Sequence, residues 1–176
     1  MRFSRPTYEA LLAQVEKPGR YLGNERGAVR KDLRAVALRF ALAFPEVYEI
    51  AQSHPGLQIL YDILNRRADV YAERVYAPWL DLESLLRAHG QPLVSLETFT
   101  PLAQFHIVGF SLQYELTYTN LLTMLELGGV PVRAAAPGTA GASRPGSVYT
   151  PPSGDCTRDT SKRRSPRSTS RLASAG

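Results

Sequence analysis

AVALRFALAF, residues Ala35–Phe44, is an almost uninterrupted apolar run that Pro45 closes. Only Arg39 breaks it. Ten residues are about half of what a membrane-spanning helix needs, and the run lacks the 3.6-residue periodicity of an amphipathic helix. It therefore reads as a central strand covered on both faces, which is the signature of a parallel sheet.

Reading outward supports the same class. On the amino-terminal side, Thr7–Val15 predicts a short helix with Thr7 as its N-cap, stopped at Lys17-Pro18-Gly19, and the stretch Arg20–Arg30 reads as a polar loop. On the carboxyl side, a loop over 46–55 leads into GLQILYDILNRR (Gly56–Arg67). There Leu57, Leu60, Tyr61 and Leu64 recur at helical spacing. AERVYA (Ala72–Ala77) reads as a strand and WLDLESLLRAH (Trp79–His89) as a helix stopped by Gly90. PLVSL (Pro92–Leu96) and HIVGFSL (His106–Leu112) read as strands, and Thr117–Leu127 as a helix stopped by Gly128-Gly129. Trp79, Leu82, Leu85 and Leu86 are assigned to the core. Strands and helices that alternate over short connections need parallel crossovers, so the fold class is α/β. The sequence divides into a helix and polar loop (1–32), an α/β domain (33–132) and a tail (133–176), with 128–132 read as the turn into a further strand.

The charge is unevenly placed. The formal net charge is +5, yet residues 133–176 hold eight Lys/Arg against two Asp/Glu, which leaves the first 132 residues with 13 basic and 14 acidic side chains. The basic character belongs to the tail and its Lys162-Arg163-Arg164 cluster, so electrostatic attraction to a polyanion resides there. Cys156, the one cysteine, excludes an intramolecular disulfide and a multi-thiolate metal site. With no signal-like or spanning segment, a cytoplasmic location is the expectation.

In an open parallel sheet, ligands bind beyond the carboxyl ends of the strands. Three loops fall at that edge. Their candidate binding residues are Ser53, His54 and Gly56 after the first strand, Ser95 and Glu97 around the end of the third, and Ser111, Gln113, Tyr114 and Glu115 after the fourth. Each also has a plain structural reading: Ser53 as a helix cap, His54 as a loop histidine, Gly56 as turn relief. Glu46, Glu49, Glu97 and Glu115 are candidate acids or bases whose pairing the sequence leaves open. His54, His89 and His106 lie at no usual metal-ligand spacing, and no nucleotide-binding glycine motif or nucleophile elbow is present.

The strings KPGRYLGNE (Lys17–Glu25), FALAFPEVYEIAQSHPGLQILYDILN (Phe40–Asn65), AERVYAPWLDLESLLR (Ala72–Arg87), PLVSLET (Pro92–Thr98) and IVGFSLQYELTYTNLLTMLELGGVP (Ile107–Pro131) resemble an uncharacterised bacterial family of radical SAM proteins. The resemblance implies an N-terminal cobalamin (B12)-binding-like domain with a flavodoxin-like parallel sheet and helices on both faces. A barrel would follow it, binding a [4Fe–4S] cluster and S-adenosylmethionine through three cysteines. This sequence departs from that pattern in having one cysteine, so it lacks the cluster motif. It also lacks Asp-x-His-x-x-Gly, since His54 sits in Gln52-Ser53-His54-Pro55-Gly56, and any corrin would bind without a histidine ligand. Two expectations follow. One is a domain cut within its last strand, without the catalytic barrel as partner, and followed by a frameshifted tail. The other is a stand-alone flavodoxin-like interaction module whose disordered basic tail binds nucleic acid. A small independent enzyme using Glu49, Glu97 or Glu115 is a third class.

Overall fold

The structure is a computed structural model and describes residues 3–133 together with the backbone of residues 147–149. Helix α1 (Arg5–Leu12) begins two residues before the expected Thr7, because Ser4 takes the N-cap position and Pro6 fits the first turn, where its missing N–H is not needed. A 3-10 turn, Pro18–Tyr21, leads through the polar loop to β1 (Leu38–Phe44). A short helix, α2 (Tyr48–Gln52), occupies the stretch expected to be loop. There follow α3 (Pro55–Arg66), β2 (Val70–Tyr76), α4 (Leu80–His89), β3 (Ile107–Phe110) and α5 (Tyr118–Leu127). Gly90 ends α4 in the left-handed conformation (φ 59°), as a glycine after a helix commonly does.

The strands form one parallel sheet in the order β2-β1-β3-β4, with Phe40 opposite both Ala72 and Ile107. Strand β4 is the backbone of Ser147–Tyr149, which pairs in parallel with Ile107–Gly109. Residues 128–133 themselves form a turn and no strand, Pro131 having no N–H to give to a ladder; the strand that pairs with β3 is Ser147–Tyr149, so β3 is not the edge that a missing last strand would leave. Apart from that β4 backbone, the expectations for residues 134–176 lie outside the described residues.

Pro92–Leu96, expected to be a strand, makes only an isolated antiparallel bridge, Val94 to Pro101. The cause lies on the free edge of β2, where outward backbone groups of Val70, Ala72 and Arg74 already have side-chain partners. Ala72 N donates to Asn65 Oδ1 at 3.1 Å and Ala72 O accepts from Asn65 Nδ2 at 3.0 Å. Val70 O accepts from the Lys31 ammonium at 2.6 Å, and Arg74 N donates to Glu97 Oε2 at 2.8 Å. Arg74 O accepts from the incoming chain, from Leu96 N at 3.0 Å. Side chains thus close an edge that would otherwise invite another strand.

Alternation along the strands makes two cores. Ala41, Ala43, Val75, Val108 and Phe110 face Tyr8, Leu11 and Leu12 of α1, Leu82 and Leu86 of α4, and Leu121, Met124 and Leu125 of α5. Leu42, Phe44, Ala72 and Tyr76 face Ala51, Leu57 and Tyr61 of α2 and α3. Each fully buried Leu or Phe contributes about 1.5–3 kcal/mol relative to exposure. One residue assigned to the core is not in it: Trp79 is 40% exposed.

Candidate functional site

The chain leaves β1 toward β2 on one side and returns from β2 to β3 on the other. The carboxyl ends of β1 and β3 therefore form the switch point of the sheet, where open α/β sheets hold their ligands. Pro45-Glu46 follows β1 there, and Ser111–Tyr114 follows β3. Across the crevice the Tyr114 hydroxyl donates to Glu46 Oε1 at 2.5 Å. Asn120 Nδ2, from the first turn of α5, donates to Pro45 O at 3.0 Å, and Gln113 Nε2 donates to Ser111 Oγ at 3.2 Å. The loop after β1 is fixed from the other side by Ala77 N, which donates to Glu46 O at 3.1 Å. The hydrogen bond to Glu46 raises the Tyr114 phenol above its ordinary value, so Tyr114 remains a donor at neutral pH. Glu115 opens the exposed 3-10 turn Glu115–Thr117.

Ser53, His54 and Gly56 meet at the start of α3, beside the end of β1. Ser53 Oγ donates to Glu49 O at 2.7 Å at the end of α2; it does not cap α3. His54 is the cap: its Nδ1 accepts from Leu57 N at 3.2 Å, and its ring lies 5.0 Å from that of Phe44. Gly56 makes room for the imidazole, since a Cβ there would stand 2.9 Å from His54 Cε1. An Nδ1 that accepts a backbone N–H leaves the proton of the neutral ring on Nε2. Nε2 is then a donor, without a free lone pair for a metal.

Ser95 and Glu97 lie elsewhere, in two buried polar clusters that the sequence reading missed. Glu73 and Arg74 are adjacent on β2, so their side chains take opposite faces of the sheet. Glu73 Oε1 accepts from Arg39 Nη2 at 2.6 Å, and its Oε2 accepts from the hydroxyls of Ser95 at 2.7 Å and Thr98 at 2.6 Å. On the other face Arg74 Nε donates to Glu97 Oε1 at 2.7 Å, Nη1 to Gln52 Oε1 at 3.1 Å and Nη2 to Glu25 Oε2 at 3.1 Å. The guanidinium also lies 4.7 Å from the centre of the Tyr61 ring. Burial pushes the Glu97 carboxyl up, against the pull of Arg74. Burial likewise opposes the charge on Arg74, but Glu97 outweighs it and holds the guanidinium protonated. The one available signal was the pair Glu73-Arg74 inside a strand otherwise read as apolar.

The candidate carboxylates are thus dispersed. Glu97 is tied to Arg74 and Glu46 to Tyr114, while Glu49 accepts from Arg20 Nε at 2.8 Å. That hydrogen bond holds the Glu49 carboxyl below its usual range. Arg20 in turn stacks on Trp79, 5.2 Å from the ring centroid. Trp79, Leu80, Leu116 and Tyr118 carry exposed apolar surface on segments that follow β2 and β3 at the same edge, with Leu80 at 70% and Leu116 at 83% exposure. Among the described residues no group of three His, Cys, Asp or Glu side chains is placed to hold a metal ion. No described helix is long and apolar enough to cross a membrane.

Residues 56–140 match the family model described as the N-terminal part of radical SAM proteins. The match runs from the start of α3 through α5 and takes in the loop after β3. No match was found among curated proteins or among solved structures.

Proposed function

We propose that this chain provides an N-terminal binding domain of the radical SAM type, and that its ligand, a corrinoid, sits in the crevice between the carboxyl ends of β1 and β3. The observation that carries the reading is the hydrogen bond from Tyr114 to Glu46 across the switch point. Around it stand the Ser111 hydroxyl and the Gln113 and Asn120 amides, which suit the amide-fringed periphery of a corrin. The cobalt would take no ligand from His54, whose Nδ1 is engaged as a helix cap and whose Nε2 carries the proton. When bound, the corrinoid would supply cobalt-centred chemistry; the residues of this chain hold and orient it. The [4Fe–4S] cluster of radical SAM proteins does not fit this sequence, because Cys156 is its one cysteine.

The test is a titration of hydroxocobalamin with the full chain, followed by visible absorbance. Saturable spectral change at micromolar protein is expected, weakened at least about tenfold (1.4 kcal/mol) by Tyr114→Phe combined with Glu46→Gln. His54→Ala should leave the bound spectrum unaltered. Absence of any spectral change would overturn the corrinoid assignment. A second reading is favoured by the exposed Leu80 and Leu116: the same edge meets a protein domain, such as a radical SAM barrel, with no corrin between. Leu116→Asp would then abolish complex formation with a barrel and leave the absorbance titration silent.

A further inference from the structure

Between α1 and β1, residues 23–31 form a strap laid over β2 and the end of α3. Among the described residues, every hydrogen bond that ties this strap to the rest of the fold uses a side chain on one side of it. Arg74 Nη2 donates to Glu25 Oε2 at 3.1 Å. The Tyr61 hydroxyl accepts from Val29 N at 2.9 Å, and the Tyr71 hydroxyl donates to Val29 O at 3.0 Å. Arg30 Nη1 donates to Glu97 O at 3.3 Å. The backbone bond from Ala28 N to Glu25 O, at 3.0 Å, stays within the strap and closes a turn with Gly27 at φ 90°. Val29 is the strap side chain that packs on the apolar core.

Lys31 ends the strap. Its ammonium donates to Asn65 O at 2.7 Å, to Arg67 O at 2.6 Å and to Val70 O at 2.6 Å. A primary ammonium has three donors, and each finds an acceptor here. Asn65 O belongs to the last turn of α3, whose carbonyls have no partner within the helix, and the carboxyl end of a helix favours a cation. Arg67 O and Val70 O come from the connection into β2, so the chain from α3 to β2 wraps around the ammonium. A flat guanidinium, with its donors fixed in one plane, does not match three oxygens that converge on one point.

A segment with few apolar contacts and no ladder to its neighbours is the kind that opens locally, whereas β1 pairs with β2 along its whole length. We propose that residues 23–31 open as a unit while the sheet stays folded, and that the Lys31 ammonium, caged by three carbonyls, is the latch that holds them shut. Closed, the strap completes the cover over the buried Arg74 and occupies Val70 O on the edge of β2. Open, Arg74 keeps Glu97 and Gln52 and meets solvent where Glu25 stood. The device is separate from the switch-point crevice and does not depend on the corrinoid reading.

Amide hydrogen exchange of the full chain in rising, sub-denaturing urea separates local from global opening, because the urea slope scales with the surface exposed. The Ala28 and Val29 amides are expected to exchange with a shallower urea slope than those of β1 and β2. Lys31→Ala should speed them at least about tenfold (1.4 kcal/mol) and leave the slope shallow. Methylammonium, which can set three N–H donors in the emptied cage, should slow them again. Tetramethylammonium at the same concentration has no N–H and should not, and Lys31→Arg should stay as fast as Lys31→Ala. Ala28 and Val29 amides that share the slope of β1 would overturn the independent strap. An unaltered rate in Lys31→Ala, a return to the parent rate in Lys31→Arg, no slowing by methylammonium, or equal slowing by both ions would overturn the latch.

Discussion

Replacing Glu97 by alanine should come close to unfolding the chain. Glu97 is 1% exposed and its two oxygens accept from Arg74 Nε and Arg74 N at 2.7 and 2.8 Å. Removing it leaves a guanidinium 2% exposed with only Glu25, Gln52 and the Tyr61 ring around it, and leaves the edge N–H of Arg74 without its acceptor. Breaking a buried ion pair from one side costs about 3–5 kcal/mol. The whole stability of a domain is about 5–15 kcal/mol. Arg74→Met should cost a similar amount, because it strands Glu97 and Glu25. The double variant Arg74→Met/Glu97→Leu should cost less than the sum, with a coupling of at least about 1–2 kcal/mol. Urea melts of the full chain, followed by far-ultraviolet circular dichroism and Trp79 fluorescence, measure all four corners of the cycle. A Glu97→Ala variant within about 0.5 kcal/mol of the parent, or strict additivity in the double variant, would refute the reasoning.

Other perturbations probe other joints. Gly23 adopts φ 62°, and a Cβ there would stand 2.0 Å from Leu96 O, so Gly23→Ala should lower unfolding stability by at least about 2 kcal/mol; a neutral urea melt would count against this packing. Asn65→Ala removes both partners of the Ala72 peptide groups on the β2 edge and should cost about 1–3 kcal/mol. It should also raise concentration-dependent light scattering, and unchanged scattering would show that the edge is protected by something else. Glu49, held below its ordinary 4.5 by Arg20, contributes stability above that value and loses it as pH falls through the lowered one. With the carboxylate 48% exposed, the effect is about 0.5 kcal/mol. The stability gap between the parent and Glu49→Gln should therefore close in acid; a gap that does not vary with pH would contradict the assignment.

The sequence made the parallel α/β class legible because AVALRFALAF has no periodicity to hide and Pro45 marks its end. Helices α3, α4 and α5 were legible from the opposite signal, apolar residues at helical spacing or glycine stops, within one residue at their starts, whereas the five-residue α2 was too short to show one. The third expected strand was not, because PLVSL is apolar enough for a strand while its fate depends on the distant Asn65 and Glu97, which already occupy the edge of β2. Trp79 was placed in the core by its size, but its ring lies half-exposed under Arg20 at the sheet's edge. Of the nine candidate binding residues, Ser111, Gln113 and Tyr114 line the switch point, while Glu115 opens the exposed turn beside it. Ser53, His54 and Gly56 build a helix start next to it, and Ser95 and Glu97 serve buried clusters on β2. Spacing along the chain could not separate these roles, because they are set by which strand edge each loop meets.

The central claim is that the carboxyl ends of β1 and β3 form the binding face. Amide hydrogen exchange of the full chain, with and without hydroxocobalamin, tests it most directly. The account expects slowed exchange in residues 45–54 and 111–120 together, with β2 and α4 unchanged. Exchange that is unaltered in both segments, or slowed only along α3 and β2, would contradict it.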